Sequence, residues 1–115
     1  MAILNVDGSE AVVQLPPVVA AHPIGSSILV ECLKADEVLG TTLLIDENTD
    51  VGGAPQAYIV ELGPTVSPDF GLTVGMRVYW EGKGLAIDDP RAEHGRVRAL
   101  LEIHNIKAII EEGTN

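Results

Sequence analysis

From Ser27 onward, the aliphatic residues alternate with other residues in short runs, and the runs are separated by glycine, proline or short polar stretches. Short period-two runs make strands, and such stops make tight connections, so most helical architectures are excluded. "SSILVECLK" places Ile28, Val30 and Cys32 on one face and Leu29, Glu31 and Leu33 on the other. "QAYIVELG", ended by Gly63 and Pro64, predicts a second strand, and "MRVYW" a third. "EGKGLAIDDP" predicts a glycine-containing turn and a short strand around Leu85 and Ile87. "HGRVRALLEI" sets Val97, Ala99, Leu101 and Ile103 to one side, and a tight "HN" connection leads to a last strand, "IKAIIEE". About five or six short strands without a convincing amphipathic helix predict an all-β protein, a small barrel or sandwich.

A chain of 115 residues suits one domain, and 46% hydrophobic residues suffice for a core. With aromatics at 3%, that core must be aliphatic. Residues 1–21 have no clean period, and Pro16 and Pro17 interrupt the β-branched pairs of "VVQLPPVVAA". They read as an N-terminal extension to a β-domain spanning 22–115.

A formal net charge of −10 repels phosphate backbones and anionic headgroups, so neither nucleic acid nor membrane is an expected partner. Arg91, Arg96 and Arg98 alternate with acids and aliphatics and form no basic stripe. The single cysteine, Cys32, excludes a disulfide within the chain and fits a reducing cytoplasm. The first residues lack the basic region of a signal peptide, and no apolar run is long enough to span a bilayer.

Signatures of chemistry fail on inspection. "DENTD" begins like a calcium loop, but Val51 stands where the turn glycine is needed and Ala57 where the bidentate glutamate is needed. Gly82 and Gly84 lack the third glycine and following helix of a dinucleotide site. His22, His94 and His104 have no ligand spacing among themselves or with Cys32, whose place on the Ile28/Val30 face makes it a buried thiol. Asp88 and Asp89 are adjacent and face opposite ways in a strand, so they form no carboxylate pair. The expectation is a protein that is not an enzyme and needs no metal or cofactor.

One segment fits neither a strand nor a plain loop. "GTTLLIDENTDVGGAP" sets Leu43, Leu44 and Ile45 among threonines, acids and glycines. Those aliphatics belong either to a strand folded into the core or to an exposed hook.

The order of segments after Ala21 resembles the co-chaperonin (GroES-like, chaperonin-10) family. "PIGSSILVECL" resembles its N-terminal strand, "TLLID" its loop triplet, and "AYIVELGP" the strand after the loop. "TVGMRVYWEGKGLAI" is similar to its Val-Gly-Asp strand and Gly-x-Gly hairpin, and "RVRALLEIHNIKAIIEE" to its closing strands. There are three departures. The N-terminal extension has no counterpart, Met76 replaces an acid, and the Gly63–Val74 connection is shorter than the hairpin that roofs the family's dome. They fit a divergent member, a phage-encoded one included.

The resemblance implies a GroES-like β-barrel with a shortened roof, assembled as a heptameric ring. It implies a cytoplasmic protein, in the host cytoplasm if phage-encoded. The ring would cap an ATP-bound double-ring chaperonin and assist folding. A mobile loop at about 36–55 would carry the chaperonin-binding triplet Leu43, Leu44 and Ile45, with Gly40, Gly52 and Gly53 as hinges. Neighbouring subunits would pair through the strand from Ser27 to Leu33 and the strand from Ile106 to Ile110, with Ile28, Val30, Ile106, Ile109 and Ile110 at the interface. The alternatives are a ring-forming structural or viral assembly protein that shares the barrel, and a fragment of a medium-chain alcohol dehydrogenase. One cysteine and so short a chain argue against the second.

Overall fold

A computed structural model describes residues 3–4, 10–11, 14–39 and 55–113. In the N-terminal extension, β1 (Ile3–Leu4) pairs antiparallel with β2 (Glu10–Ala11). The remaining strands are β3 (Ser27–Cys32), β4 (Gln56–Leu62), β5 (Arg77–Trp80), β6 (Leu85–Ile87), β7 (Val97–Glu102) and β8 (Ile106–Ile110). They form one six-stranded antiparallel sheet in the order β6-β7-β3-β4-β5-β8. Its ladder does not close on itself, because β6 and β8 each have one neighbour among the described residues.

Alternation explains which side chains enter the core. Ile28, Val30, Ala57, Ile59, Val78, Ala99 and Leu101 pack together with Leu72 from a connection. β3 is buried on both faces, since Leu29 is fully covered and Glu31 nearly so. A strand flanked on both sides has no solvated face, and its apolar residues run without a break.

Two irregularities bend the sheet around this core. The β3–β4 register shifts between Leu29 and Val30, leaving Val60 as the extra residue. The β5–β8 register shifts between Tyr79 and Trp80, leaving Lys107 extra. An extra residue on one strand locally bends and twists the pair.

Two glycines are required by geometry. A Cβ on Gly63 would meet the carbonyl oxygens of Gly25 and Ser27, where the Gly63 amide donates to Ser27 O at 2.8 Å. Gly82 has φ +96°, and a Cβ there would stand 2.6 Å from Asn105 Nδ2. Asn105 is buried and ties the β5–β6 turn to the β7–β8 corner. Its Nδ2 donates to Glu81 O at 2.9 Å, and its own carbonyl accepts from Glu81 N at 3.0 Å.

The connection from β4 to β5 contains a single 3-10 turn, Pro68–Phe70, capped by the Ser67 hydroxyl and ended by left-handed Gly71. It contains no strand and so no hairpin, which corrects the shortened roof hairpin that the resemblance implies. Met76 packs against the core, which accounts for an apolar residue at that position.

Candidate functional site

The triplet Leu43, Leu44 and Ile45 and the hinge glycines Gly40, Gly52 and Gly53 lie outside the described residues. Both ends of the segment that carries them are defined. β3 and β4 pair as far as Cys32 and Ala57, and Leu33 N donates to Gln56 O at 2.9 Å. At the return, Pro55 O accepts from Trp80 N at 3.0 Å. The chain between them is therefore an excursion from the end of one antiparallel pair, leaving and returning side by side.

The expected loop from about 36 to 55 needs one correction. Its first residues form a single helical turn, α1 (Ala35–Leu39), fixed to the sheet. Glu37 on this turn accepts from Lys34 N at 3.0 Å, which satisfies a free donor at the helix start. It also accepts from Arg96 Nε, at 3.1 Å to Oε1 and 2.9 Å to Oε2, and from Arg96 Nη2.

Arg96 begins a chain of alternating charges running away from the loop. Its Nη1 donates to Glu31 Oε2 at 3.0 Å, and its guanidinium lies 5.8 Å from the centroid of the Tyr58 ring. Arg98 Nε donates to Glu31 Oε1 at 2.9 Å, and its Nη1 faces Asp89 Oδ2 at 3.4 Å. Arg91 grips both Asp89 oxygens, at 3.0 and 2.8 Å, and donates to Ala21 O at 3.2 Å. The series Glu37–Arg96–Glu31–Arg98–Asp89–Arg91 thus joins the loop root to the end of the N-terminal extension. The tight turn Glu93–Arg96 delivers Arg96, with His94 and Gly95 both at positive φ and Arg96 N donating to Glu93 O at 2.9 Å.

The electrostatics follow from these contacts. Arg96 hydrogen bonds hold the Glu37 carboxyl down at about 2. Burial pushes Glu31 up, but hydrogen bonds from Arg96 and Arg98 and from the Glu93 amide outweigh it, and the carboxyl stays below its ordinary value. Asp89, whose side chain is 0% exposed, is held far below the usual carboxylate range by its hydrogen bonds from Arg91. Sequence reading treated these residues as scattered charges and a turn. The available signal was Arg96 and Arg98, two apart and so on one face, opposite a lone acid within the aliphatic run of β3.

The expected subunit interface is corrected in one half. Ile28 and Val30 are fully buried, and β3 is paired on both edges, so neither can meet a second copy. β8 is an edge strand, with Ile109 47% exposed and Ile106 and Ile110 half-buried. Ile109 is the cross-strand partner of buried Val78, so it belongs to the core face where the open sheet leaves that face uncovered. The result is an open groove of about 510 Å³ lined by Phe70, Leu72, Ile103, His104, Ile106 and Ile109. On segment 14–24, which belongs to no helix or strand, Leu15, Val18, Val19 and Ile24 are exposed.

The remaining candidates are placed apart. His22 contacts Glu61 at 2.7 Å, His94 occupies its turn, and His104 lines the groove. Cys32 is half-buried rather than buried as expected; burial, and then the Glu31 charge, push its thiol up, which favours the protonated form. Asp88 is exposed while Asp89 is buried, so the two form no pair. Among the described residues no group of three or more His, Cys, Asp or Glu is placed to hold a metal ion, and no helix is long and apolar enough to cross a membrane. Compared with known proteins, the chain matches no family model and no curated protein.

Proposed function

We propose that the protein is a co-chaperonin, a lid that binds a double-ring chaperonin through Leu43, Leu44 and Ile45. The observation that carries this reading is the excursion between β3 and β4. The sequence of that segment carries an apolar triplet among polar residues, and its two ends are pinned to the antiparallel ladder. The order of the strands and the absence of a roof hairpin are in keeping with a GroES-like barrel whose dome is open on its axis.

The energetics suit a reversible lid. Burying three large aliphatics contributes about 5–9 kcal/mol, at roughly 1.5–3 kcal/mol each. Ordering a loop costs about 1–2 kcal/mol per residue, so fixing around five or six residues offsets nearly all of it. One loop binds weakly, whereas several on one ring bind with an avidity gain of ~10²–10⁴.

The ring would form at the free edge of β8. Its occupant is segment 14–24 of a neighbouring copy, whose exposed Leu15, Val18 and Val19 match an apolar groove beside an edge unpaired among the described residues. The same edge would serve a ring-forming structural protein, so chaperonin capture is the deciding measurement. Leu44→Asp is expected to abolish ATP-dependent co-sedimentation with a chaperonin and to leave the ring intact by native mass spectrometry. Unchanged capture removes the docking reading, and a dissociated ring places the triplet in the structural core.

A further inference from the structure

We infer that Glu37 and Arg96 are positioning residues that fix where the docking segment leaves the body. This inference rests on the co-chaperonin reading above. α1 is only one turn long. So short a helix does not hold itself together, because the first turn fixes several residues in return for a single hydrogen bond. Of the side chains whose burial is described, Ala35 is exposed and Val38 only half-buried. The specific contacts come from Glu37. One of its oxygens caps the turn at Lys34 N, and both engage the Arg96 guanidinium.

Arg96 is itself fixed from three sides. Glu31 on the central strand accepts from its Nη1, its guanidinium carbon stands over the Tyr58 ring of β4 at 5.8 Å from the centroid, and the left-handed pair His94 and Gly95 sets its approach. A planar guanidinium held in this way imposes direction as well as attraction, since its donors match a carboxylate in one orientation. The turn that precedes residue 40 is therefore locked to β3 and β4 at a defined place. For a multivalent binder, rigid placement of each arm raises the effective concentration at which the next arm meets its site.

The test uses the full chain with Glu37→Ala, Glu37→Asp and the wild type. It measures amide hydrogen exchange at Lys34–Leu39, ring mass, thermal stability, and ATP-dependent co-sedimentation with a chaperonin. Glu37→Ala is expected to speed exchange in the turn, to keep the ring and most of the stability, and to weaken capture by roughly threefold or more as the loss repeats around the ring. Glu37→Asp is expected to restore part of both. Unchanged exchange in Glu37→Ala, or faster exchange with wild-type capture, overturns the inference while the co-chaperonin reading stands. Failure of the wild type itself to be captured overturns that reading and the positioning role with it.

Discussion

Asp89 is the residue on which the charge network is most exposed to a single change. Its side chain is fully covered, and it neutralises Arg98 from one side while holding Arg91 on the other. Without it Arg98 keeps only Glu31 as a carboxylate partner among the described residues, and Arg91 loses its bidentate acceptor; losing hydrogen bonds between charged groups costs about 1.5–3 kcal/mol. Asp89→Ala is therefore expected to lower the melting temperature at neutral pH by a margin that calorimetry resolves easily. The acid dependence has a definite sign. Folding depresses this carboxyl below its ordinary 3.8, so its contribution is complete above that value and is lost as the pH falls through the folded-state value. Glu37 behaves likewise between its ordinary 4.5 and about 2. The gap in melting temperature between wild type and Asp89→Ala should hold steady down to about pH 4 and narrow below it. A gap independent of pH throughout that range would show that the variant loses packing rather than an ion pair.

At the level of elements, β8 combines an edge unpaired among the described residues with an apolar groove, and Ile109 stands in both. Ile109→Asp should leave the far-ultraviolet circular dichroism unchanged while native mass spectrometry records protomers in place of rings. A ring of unaltered mass would assign assembly to another surface. The strands themselves were legible from alternation: β3 to β8 fall where "SSILVECLK", "QAYIVELG", "MRVYW", "GLAI", "RVRALLEI" and "IKAIIEE" predict them. Their neighbours were not. The resemblance implies that β3 pairs with another subunit, and a period of two, which reads the same in a central strand as at an edge, offers nothing against it. Leu29 was the clue, a large aliphatic on the face that a half-buried strand would give to water. α1 and the β1–β2 pair escaped because one helical turn and two-residue strands contain no period to read. The charge series escaped for another reason: Asp89 and Arg91 meet within one turn, but Glu31 and Glu37 meet Arg96 and Arg98 only once β7 lies beside β3.

For the whole molecule, the proposed function makes valency the decisive quantity. A single triplet contributes about as much as ordering its segment costs, so one docked arm does not hold a lid. Capture then depends on how many competent arms a ring carries, and rings of mixed composition measure that dependence directly. Wild-type and Leu44→Asp protomers, dissociated and reassembled together, give a distribution of rings whose composition native mass spectrometry reads. Each arm lost removes one factor of effective concentration, so the free energy of capture should fall in even steps and the captured fraction much faster than the wild-type content. Rings with a minority of altered protomers should already be depleted from the chaperonin-bound fraction. If rings with one or two competent arms were captured as well as the wild type, each arm would bind strongly alone, and a closed assembly would serve some purpose other than avidity. The same series isolates the root of the arm. Glu37→Ala protomers mixed in place of Leu44→Asp should give a shallower decline, because a loosely mounted hook still docks, only at a lower effective concentration than one held to β3 and β4 through Arg96.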